Sequence, residues 1–240
     1  MKKATLFFLL LSLALTGCRE DREKPKVTYK ESRNPAKAKV DSTDIEVADL
    51  PILMEGTKYL IHPIGDIRIY DDVNRSYGSS RTNSSASYAI SNYNRYEITG
   101  YLANLKFQHV DSTAVTTLTD KPVQIQTATF LNTIAQQYKK QLLVYTLVDA
   151  DTNQDGKADS NDIRSLYISD ISGKGFHKLS ADMQELLDWN IIEAQGRLYF
   201  RTIEDINKNG AFDKNDAVHY HYADLKSESI TVSDYQPIAK

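Results

Sequence analysis

The chain has 240 residues, of which 41% are hydrophobic and 25% are charged, as in an ordinary globular protein. Its 29 Lys and Arg residues are balanced by 32 Asp and Glu residues, which excludes the strongly basic surface of most nucleic-acid-binding proteins. The single cysteine, Cys18, excludes an internal disulfide bond. These features predict a globular protein that binds no nucleic acid.

The chain begins with a basic and then an apolar segment, MKK followed by ATLFFLLLSLAL. This apolar stretch has about a dozen residues, whereas a membrane-spanning helix needs about 20. A basic start, a short apolar region and the small residues Thr16 and Gly17 are typical of a signal peptide. We therefore expect residues 1–17 to be removed from an exported protein, which leaves 27 basic and 32 acidic residues.

The ending Leu15-Thr16-Gly17-Cys18 resembles the signal of bacterial lipoproteins, in which cleavage occurs before a cysteine that carries lipid. The resemblance implies that Cys18 carries acyl chains such as palmitate, which anchor the protein to a membrane of the cell envelope. Arg19 follows the cysteine, and the likeness to Gram-negative lipoproteins then favours the outer membrane. The alternative is an ordinary secretory signal with an incidental cysteine.

Residues 18–49 differ in composition from the rest of the chain. Between Arg19 and Asp49 there are eight basic and eight acidic residues, with Pro25 and Pro35 and few apolar side chains. Such a stretch buries too little apolar surface to offset the entropy that is lost on ordering. We expect a charged, disordered tether between the membrane anchor and the domain that follows.

Residues 50–240 are sufficient for one packed domain, and most local patterns within them predict β-strands. These segments are rich in Val, Ile, Tyr, Phe and Thr, and several alternate apolar with polar residues. The predicted strands are residues 58–64, 66–70, 95–110, 123–131, 141–148, 164–171, 197–203 and 217–225. The fold class predicted from the sequence is all-β.

Three segments differ from this pattern. Residues 127–140 and residues 180–192 have apolar spacings that also fit helices, the second with Ser180 as its N-cap. Residues 75–96 are rich in Ser, Asn and Tyr and are predicted to form a long polar loop.

An acidic segment occurs twice in this domain. DTNQDGKADSND at 151–162 recurs as DINKNGAFDKND at 205–216, 54 residues later. The apolar segments on both sides also correspond, so each unit is predicted to contain a strand, an acidic loop, a strand and a turn into another strand. The repeat predicts antiparallel units of about 54 residues.

The units also resemble the TolB-type, WD40-like propeller repeat. LYISDISGKGFHKLS at 166–180 is similar to the hairpin of that repeat, and DWNIIEAQGRLYFRTIED at 188–205 is similar to its opening strand pair. The resemblance implies a propeller-like or open, partial propeller, and it favours a strand within 180–192. Residues 50–240 contain only about three and a half such units, and propellers usually have at least four blades. A twisted β-sandwich is therefore the alternative.

The two acidic loops have the spacing of a calcium-binding loop. Oxygen ligands at positions 1, 3, 5, 7, 9 and 12 surround the ion, and glycine at position 6 permits the sharp turn. The pattern matches the EF-hand motif except for Asp at position 12, and this variant resembles the dockerin-type loop. The predicted ligands, with backbone carbonyls from Lys157 and Ala211, are Asp151, Asn153, Asp155, Lys157, Asp159, Asp162, Asp205, Asn207, Asn209, Ala211, Asp213 and Asp216.

The spacing therefore predicts up to two structural Ca²⁺ ions. The first loop offers four carboxylates and the second offers three, so we expect tighter binding at the first. The alternative is an ordinary polar turn, because Asp, Asn and Gly are also common in turns. Strand patterns flank both loops, which argues against a helix-based calcium sensor and for a bracing role.

The sequence contains no common catalytic motif, and an enzyme is the less favoured interpretation. His219 and His221 lie two residues apart in a predicted strand and share a face, which is more typical of a sheet-surface pair than of metal ligands. We expect an envelope-anchored module that binds a protein or glycan partner through its β domain. The alternatives are a propeller-like hydrolase with a separate central site and a purely structural envelope component.

Overall fold

The computed structural model describes residues 25–29, 44–68, 88–90 and 95–238. The predicted signal peptide, Cys18 and most of the predicted polar loop at 75–96 lie outside the described residues. Within the described residues, no helix has the length and apolar character that a membrane span requires.

The described chain is mostly β-structure, as the sequence predicts, with one short α-helix, α1 (Asn132–Tyr138), and one 3-10 turn at Glu193–Gln195. The strands are β1 (Asp44–Ala48), β2 (Ile52–Leu53), β3 (Tyr59–Arg68), β4 (Tyr88–Ile90), β5 (Glu97–Leu102), β6 (Asn104–His109), β7 (Val115–Thr117), β8 (Gln124–Phe130), β9 (Leu142–Val148), β10 (Arg164–Asp170), β11 (His177–Lys178), β12 (Gln184–Ile192), β13 (Arg197–Glu204), β14 (Ala217–Asp224) and β15 (Val232–Asp234).

These strands form three antiparallel sheets, none of them closed within the described residues. The first sheet has the order β1-β3-β6-β7, with β2 also paired to β3. The middle sheet has the order β11-β10-β9-β8-β5-β4, and the third sheet is the meander β12-β13-β14-β15. The all-β prediction is confirmed.

The middle sheet lies between the other two. All seven residues of β9 are buried, and its side chains alternate between two apolar cores. Leu143 and Tyr145 pack with residues of the first sheet, whereas Leu142 and Val144 pack with residues of the third. This explains the continuous apolar run LLVYTLV, because a strand covered on both faces has no polar side to show in its sequence.

The helical interpretation of residues 180–192 is wrong, and the strand that the propeller resemblance favours within them is correct. β12 pairs with β13 over this segment, with a bulge between Leu186 and Asp188. Ser180 caps no helix but accepts a hydrogen bond from the N–H of Leu166 at 3.0 Å. The bulge shifts the alternation of the side chains, so that the apolar spacing resembles that of a helix.

Two other segments are divided differently from the prediction. Residues 127–140 begin inside β8 and only then enter α1, so the helical interpretation is correct for the second half alone. The single strand predicted at 95–110 is two strands in different sheets, β5 and β6, joined at Ala103. The N–H of Ala103 donates to the carbonyl of Ile64 at 2.8 Å, which holds the junction between β5 and β6 against the first sheet.

The tether predicted at 18–49 is ordered in two places. β1 pairs with β3 from Asp44 to Ala48, and residues 25–29 contact the acidic loops. Both stretches gain backbone hydrogen bonds with the domain, which a local count of charged residues does not reveal. The rest of the predicted tether lies outside the described residues.

Candidate metal centres

The two acidic loops occupy equivalent places in their sheets. The first joins β9 to β10 in the middle sheet, and the second joins β13 to β14 in the third sheet. A short strand follows in each case, β11 beside β10 and β15 beside β14. The two units therefore have the same strand pairing around their loops.

Side-chain oxygens of the first loop accept hydrogen bonds from its own backbone. The carboxylate of Asp151 accepts from the N–H groups of Asp155 at 3.1 Å and Gly156 at 2.8 Å. The Oδ1 atom of Asn153 accepts from the N–H of Asp155 at 2.8 Å. Asp155 in turn accepts from the N–H of Lys157 at 2.9 Å. These bonds curl the first half of the loop around positions 1, 3 and 5.

The second loop repeats this pattern position by position. Asp205 accepts from the N–H groups of Asn209 at 3.2 Å and Gly210 at 2.7 Å. Asn207 accepts from Asn209 at 2.9 Å, and Asn209 accepts from Ala211 at 2.8 Å. The two sequences thus fold into the same local structure, although position 5 is Asp in one and Asn in the other.

The second halves of the loops also agree. Asp159 accepts from the N–H of Asn161 at 2.9 Å, and Asp213 accepts from that of Asn215 at 2.8 Å. Position 12 accepts from the N–H of position 9 in both loops, Asp159 to Asp162 at 2.9 Å and Asp213 to Asp216 at 2.8 Å. Position 12 therefore closes each loop back onto position 9.

Both loops require left-handed backbone at the same positions. Gly156 and Gly210, at position 6, have φ values of 93° and 83°. At position 4, Gln154 and Lys208 have φ values of 62° and 56°. Glycine adopts such angles without the steric cost that a Cβ atom adds, as the sequence pattern predicts for position 6.

The burial and the hydrogen bonds of the Asp at position 12 differ between the two loops. Asp162 is fully buried and accepts from Thr152 N–H at 2.7 Å, from the Thr152 hydroxyl at 3.1 Å and from Asn153 N–H at 3.0 Å. Burial raises the pKa of Asp162, while these hydrogen bonds act in the opposite direction. Asp216 is half-buried, and its Oδ1 atom accepts from the side chain of Asn207 at 3.3 Å. The carboxylate of Asp162 in the first loop is therefore more strongly desolvated than that of Asp216 in the second.

The predicted ligand residues are brought together in two separate loops, one for each repeat. Their side-chain oxygens contact backbone N–H groups, and the described residues contain no cluster of three or more His, Cys, Asp or Glu side chains positioned around a metal. The donor set is nevertheless all oxygen, which suits a hard cation such as Ca²⁺. The first loop also contains a buried acceptor without a hydrogen-bond partner, the Oδ1 atom of Asn161.

The acidic loops also contact Pro25–Tyr29, which was not predicted from the sequence. The N–H of Thr28 donates to the carbonyl of Thr152 at 2.9 Å, and the N–H of Val27 donates to that of Gly210 at 3.1 Å. Val27 is only 4% exposed. The available signal was the run Val-Thr-Tyr, three strand-forming residues within a charged stretch.

His219 and His221 have separate carboxylate partners. His219 contacts Glu204 at 2.9 Å, and His221 contacts Asp234 at 2.8 Å. The second ring also contacts the hydroxyl of Thr202 at 3.2 Å, but Thr202 is fully buried. The two histidines link β14 to its neighbours on both sides. The ring of His221 also stacks on Phe200 of the core at 4.8 Å, so it packs against the core rather than on an open sheet surface.

Four tyrosines form a cluster on the outer face of the third sheet, opposite the core. Tyr199 lies directly across from Tyr222, and the two rings are 5.7 Å apart. The ring of Tyr235 packs edge to face against Tyr199 at 5.3 Å and Tyr220 at 5.9 Å. Arg197 lies over the ring of Tyr222 at 4.3 Å. We call these four tyrosines the tyrosine cluster; all of them are half-buried.

Comparison with known proteins finds no matching family model, and no curated protein or solved structure matches the chain significantly.

Proposed function

We propose that this chain is an envelope-anchored lipoprotein whose β domain binds structural Ca²⁺ in two loops and presents a face to a partner. The observation that carries the proposal is the position-by-position agreement of the two loops. Positions 1, 3, 5, 6, 9 and 12 have the same hydrogen-bond roles at two places 54 residues apart. A polar turn needs only one or two Asp, Asn or Gly residues and does not account for this agreement.

Calcium would act as a brace between neighbouring strands. Each loop joins two paired strands and concentrates carboxylates, whose mutual repulsion a dication would neutralise. Binding to the folded chain alone stabilises it by about 2.7 kcal/mol per site when free Ca²⁺ is 100 times the dissociation constant. The strands on both sides leave no element that can swing open, so the proposed role is stability rather than signalling.

Thermal melting with and without chelator tests the calcium proposal. A soluble form that begins at Arg19 should melt about 5–10 °C higher in saturating Ca²⁺ for each site that is filled, given the usual scaling for domains of this size. Magnesium at the same concentration should produce a smaller rise, since it retains its waters and prefers a strict octahedron. Identical melting curves in calcium and in chelator would contradict the proposal.

The anchoring proposal rests on Leu15-Thr16-Gly17-Cys18. The full chain expressed in a Gram-negative host should fractionate with the outer membrane and incorporate labelled palmitate. Cys18→Ser should remove the label and release the protein from the membrane. Unchanged membrane association of this variant, with no lipid label in the parent, would contradict lipid anchoring.

The tyrosine cluster is the proposed partner-binding face, and a glycan is the partner that its chemistry favours. Aromatic rings lie beside Arg197, Arg201 and the exposed carboxylate of Asp188, which pairs with Arg201. Rings can stack on the faces of sugars while charged and amide groups bind their hydroxyls. Leu198 and Phe200 on the opposite face of β13, in contrast, pack into the core.

A glycan array with matched variants tests this assignment. Tyr222→Ala should abolish glycan binding by removing the ring that contacts Tyr199, Tyr235 and Arg197. Tyr101→Ala is the control, because Tyr101 is 67% exposed and belongs to a different sheet. Equal loss in both variants, or capture of a protein with no glycan binding, would contradict a glycan-binding face.

For the architecture we propose an open, propeller-like stack rather than a twisted sandwich. The support is the third sheet, a four-stranded antiparallel meander that packs face to face on its neighbour. Blades of a propeller are such meanders. The middle sheet has six strands, so the likeness is strongest in the C-terminal half.

A further inference from the structure

The five residues Pro25–Tyr29, which we call the strap, contact the first loop through several hydrogen bonds. The N–H of Lys26 donates to the carbonyl of Asn161 at 3.1 Å, and the N–H of Thr28 donates to that of Thr152 at 2.9 Å. The Thr28 hydroxyl adds a bond to the carbonyl of Asn153 at 2.9 Å. These partners are positions 11, 2 and 3 of the first loop.

The strap contacts the second loop from its other side. The N–H of Val27 donates to the carbonyl of Gly210 at 3.1 Å, and Lys26 forms a bridge with Ala211. The hydroxyl of Tyr29 donates to the carbonyl of Asp205 at 3.3 Å. The partners are positions 6, 7 and 1 of the second loop.

This alternation follows from the extended backbone of the strap. Successive N–H groups of a strand point to opposite sides, so Lys26 and Thr28 bond to one loop while Val27 bonds to the other. The loop carbonyls in these bonds lie at positions 2, 3 and 11 of the first loop and at positions 1 and 6 of the second. The strap therefore docks on backbone that both curled loops present together.

We propose that the strap couples the two loops, so that Ca²⁺ binding at one loop favours binding at the other. The coupling rests on the calcium sites of the proposed function. A loop that is ordered by Ca²⁺ supplies half of the strap's docking surface, and the docked strap then holds the second loop in its binding shape. Because coupling between sites is reciprocal, either loop can bind first.

Calcium titration of the form that begins at Arg19 measures this coupling. We expect two ions per chain, a Hill coefficient between 1 and 2, and an affinity for the second ion at least about five-fold higher than for independent sites. Val27→Asp places a charge at a buried position of the strap and should yield two independent sites. Val115→Asp is the charge-matched control, because Val115 is 50% exposed on β7.

Trypsin cleavage after Lys26 gives a second measurement, which does not depend on binding heat. Docking should slow this cleavage in Ca²⁺ relative to chelator, and Val27→Asp should restore fast cleavage. Gly210→Ala should also speed cleavage, because its Cβ atom would lie 2.7 Å from the carbonyl oxygen of Val27. Gly56→Ala is the matched control, because Gly56 lies outside both loops, has a left-handed backbone and has nothing within 4 Å of the added atom.

The possible outcomes separate the coupling from the calcium sites themselves. Two independent sites in the parent chain would overturn the coupling and leave the calcium sites intact. Unchanged cooperativity in Val27→Asp would do the same, provided that rapid cleavage shows the strap of this variant to be undocked. Equal cleavage of Gly210→Ala and Gly56→Ala would also overturn it. No binding heat in the parent chain would overturn the calcium sites and, with them, the coupling.

Discussion

Thr152 donates both its backbone N–H and its hydroxyl to the same oxygen of Asp162, at 2.7 and 3.1 Å. The hydroxyl oxygen also accepts the N–H of Ile163 at 3.0 Å. Position 2 of one loop is thus tied to position 12, whereas the equivalent residue of the other loop, Ile206, is 55% exposed. Thr152 therefore holds position 12 of the first loop through its side chain, a contact that the apolar side chain of Ile206 cannot make in the second.

Thr152→Val should therefore destabilise the fold. The substitution keeps the shape of the side chain but leaves the N–H of Ile163 without its acceptor, which costs about 1–3 kcal/mol. Urea denaturation in chelator measures the loss without a contribution from metal. Ile206→Val at the equivalent position should change stability by less than about 0.5 kcal/mol. Equal effects of the two substitutions would contradict the distinction between the loops.

Asp151→Ala and Asp205→Ala should each remove one calcium site. Position 1 orders the first half of the loop through its carboxylate, so its loss removes both a ligand and two backbone hydrogen bonds. Calorimetry should count one ion per chain in either variant, with tighter residual binding in Asp205→Ala because the first loop has more carboxylates. Asp111→Ala, at an exposed carboxylate outside both loops, is the control. Two ions bound by both loop variants would contradict the ligand assignment.

The buried ion pair between Glu185 and Arg164 should contribute more to stability than the exposed pair between Asp188 and Arg201. Glu185 on β12 is buried and accepts from the Arg164 side chain at 2.6 Å and from its N–H at 2.7 Å, which joins the third sheet to the middle sheet. Glu185→Ala should cost about 2–3 kcal/mol, since it leaves charged and backbone donors without their acceptor. Asp188→Ala breaks the exposed pair with Arg201 and should cost less than about 1 kcal/mol. A smaller loss in Glu185→Ala than in Asp188→Ala would contradict this assignment.

The carboxylate of Asp149 should make the fold sensitive to acid. Burial opposes its ionisation, but hydrogen bonds from Lys178, Tyr167 and Ser165 outweigh burial and lower its pKa. A lowered folded-state pKa adds stability above the unfolded pKa of about 3.9, and this stability is lost as the pH falls through the folded value. Asp149→Asn should therefore reduce the difference in unfolding free energy between pH 5 and pH 3.

Asp182→Asn is the matched control for Asp149→Asn. Asp182 contacts the same lysine, but its side chain is 87% exposed. This variant should retain the parent's pH dependence between pH 5 and pH 3. A pH dependence that is equally reduced in both variants would contradict a specific role for Asp149.

The sequence predicts what depends on local spacing. The left-handed glycines at 156 and 210 and the pairing of position 1 with positions 5 and 6 follow from residues that lie within twelve of one another. The burial of β9 on both faces follows equally from its unbroken apolar run. In these cases the residues that stabilise the local structure are the same few residues that indicate it in the sequence.

Long-range pairing is what the sequence does not reveal. Val27 bonds to Gly210 across nearly the whole described chain, and a charged flank gives no local sign of that partner. The apolar residues of 180–192 likewise have a spacing that fits a helix, because the bulge in β12 shifts the alternation of the side chains. The strand is nevertheless held by its pairing with β13. The tyrosine cluster depends on the alignment of β13, β14 and the chain after β15, which no single segment encodes.

Isothermal titration of Ca²⁺ into the form that begins at Arg19 is the most direct test of the account. We expect binding of two ions per chain with measurable heat, reversal by chelator, and tighter binding at the loop that contains Asp151. Absence of heat, together with a melting temperature that is the same in calcium and in chelator, would contradict the central claim that these loops are calcium sites.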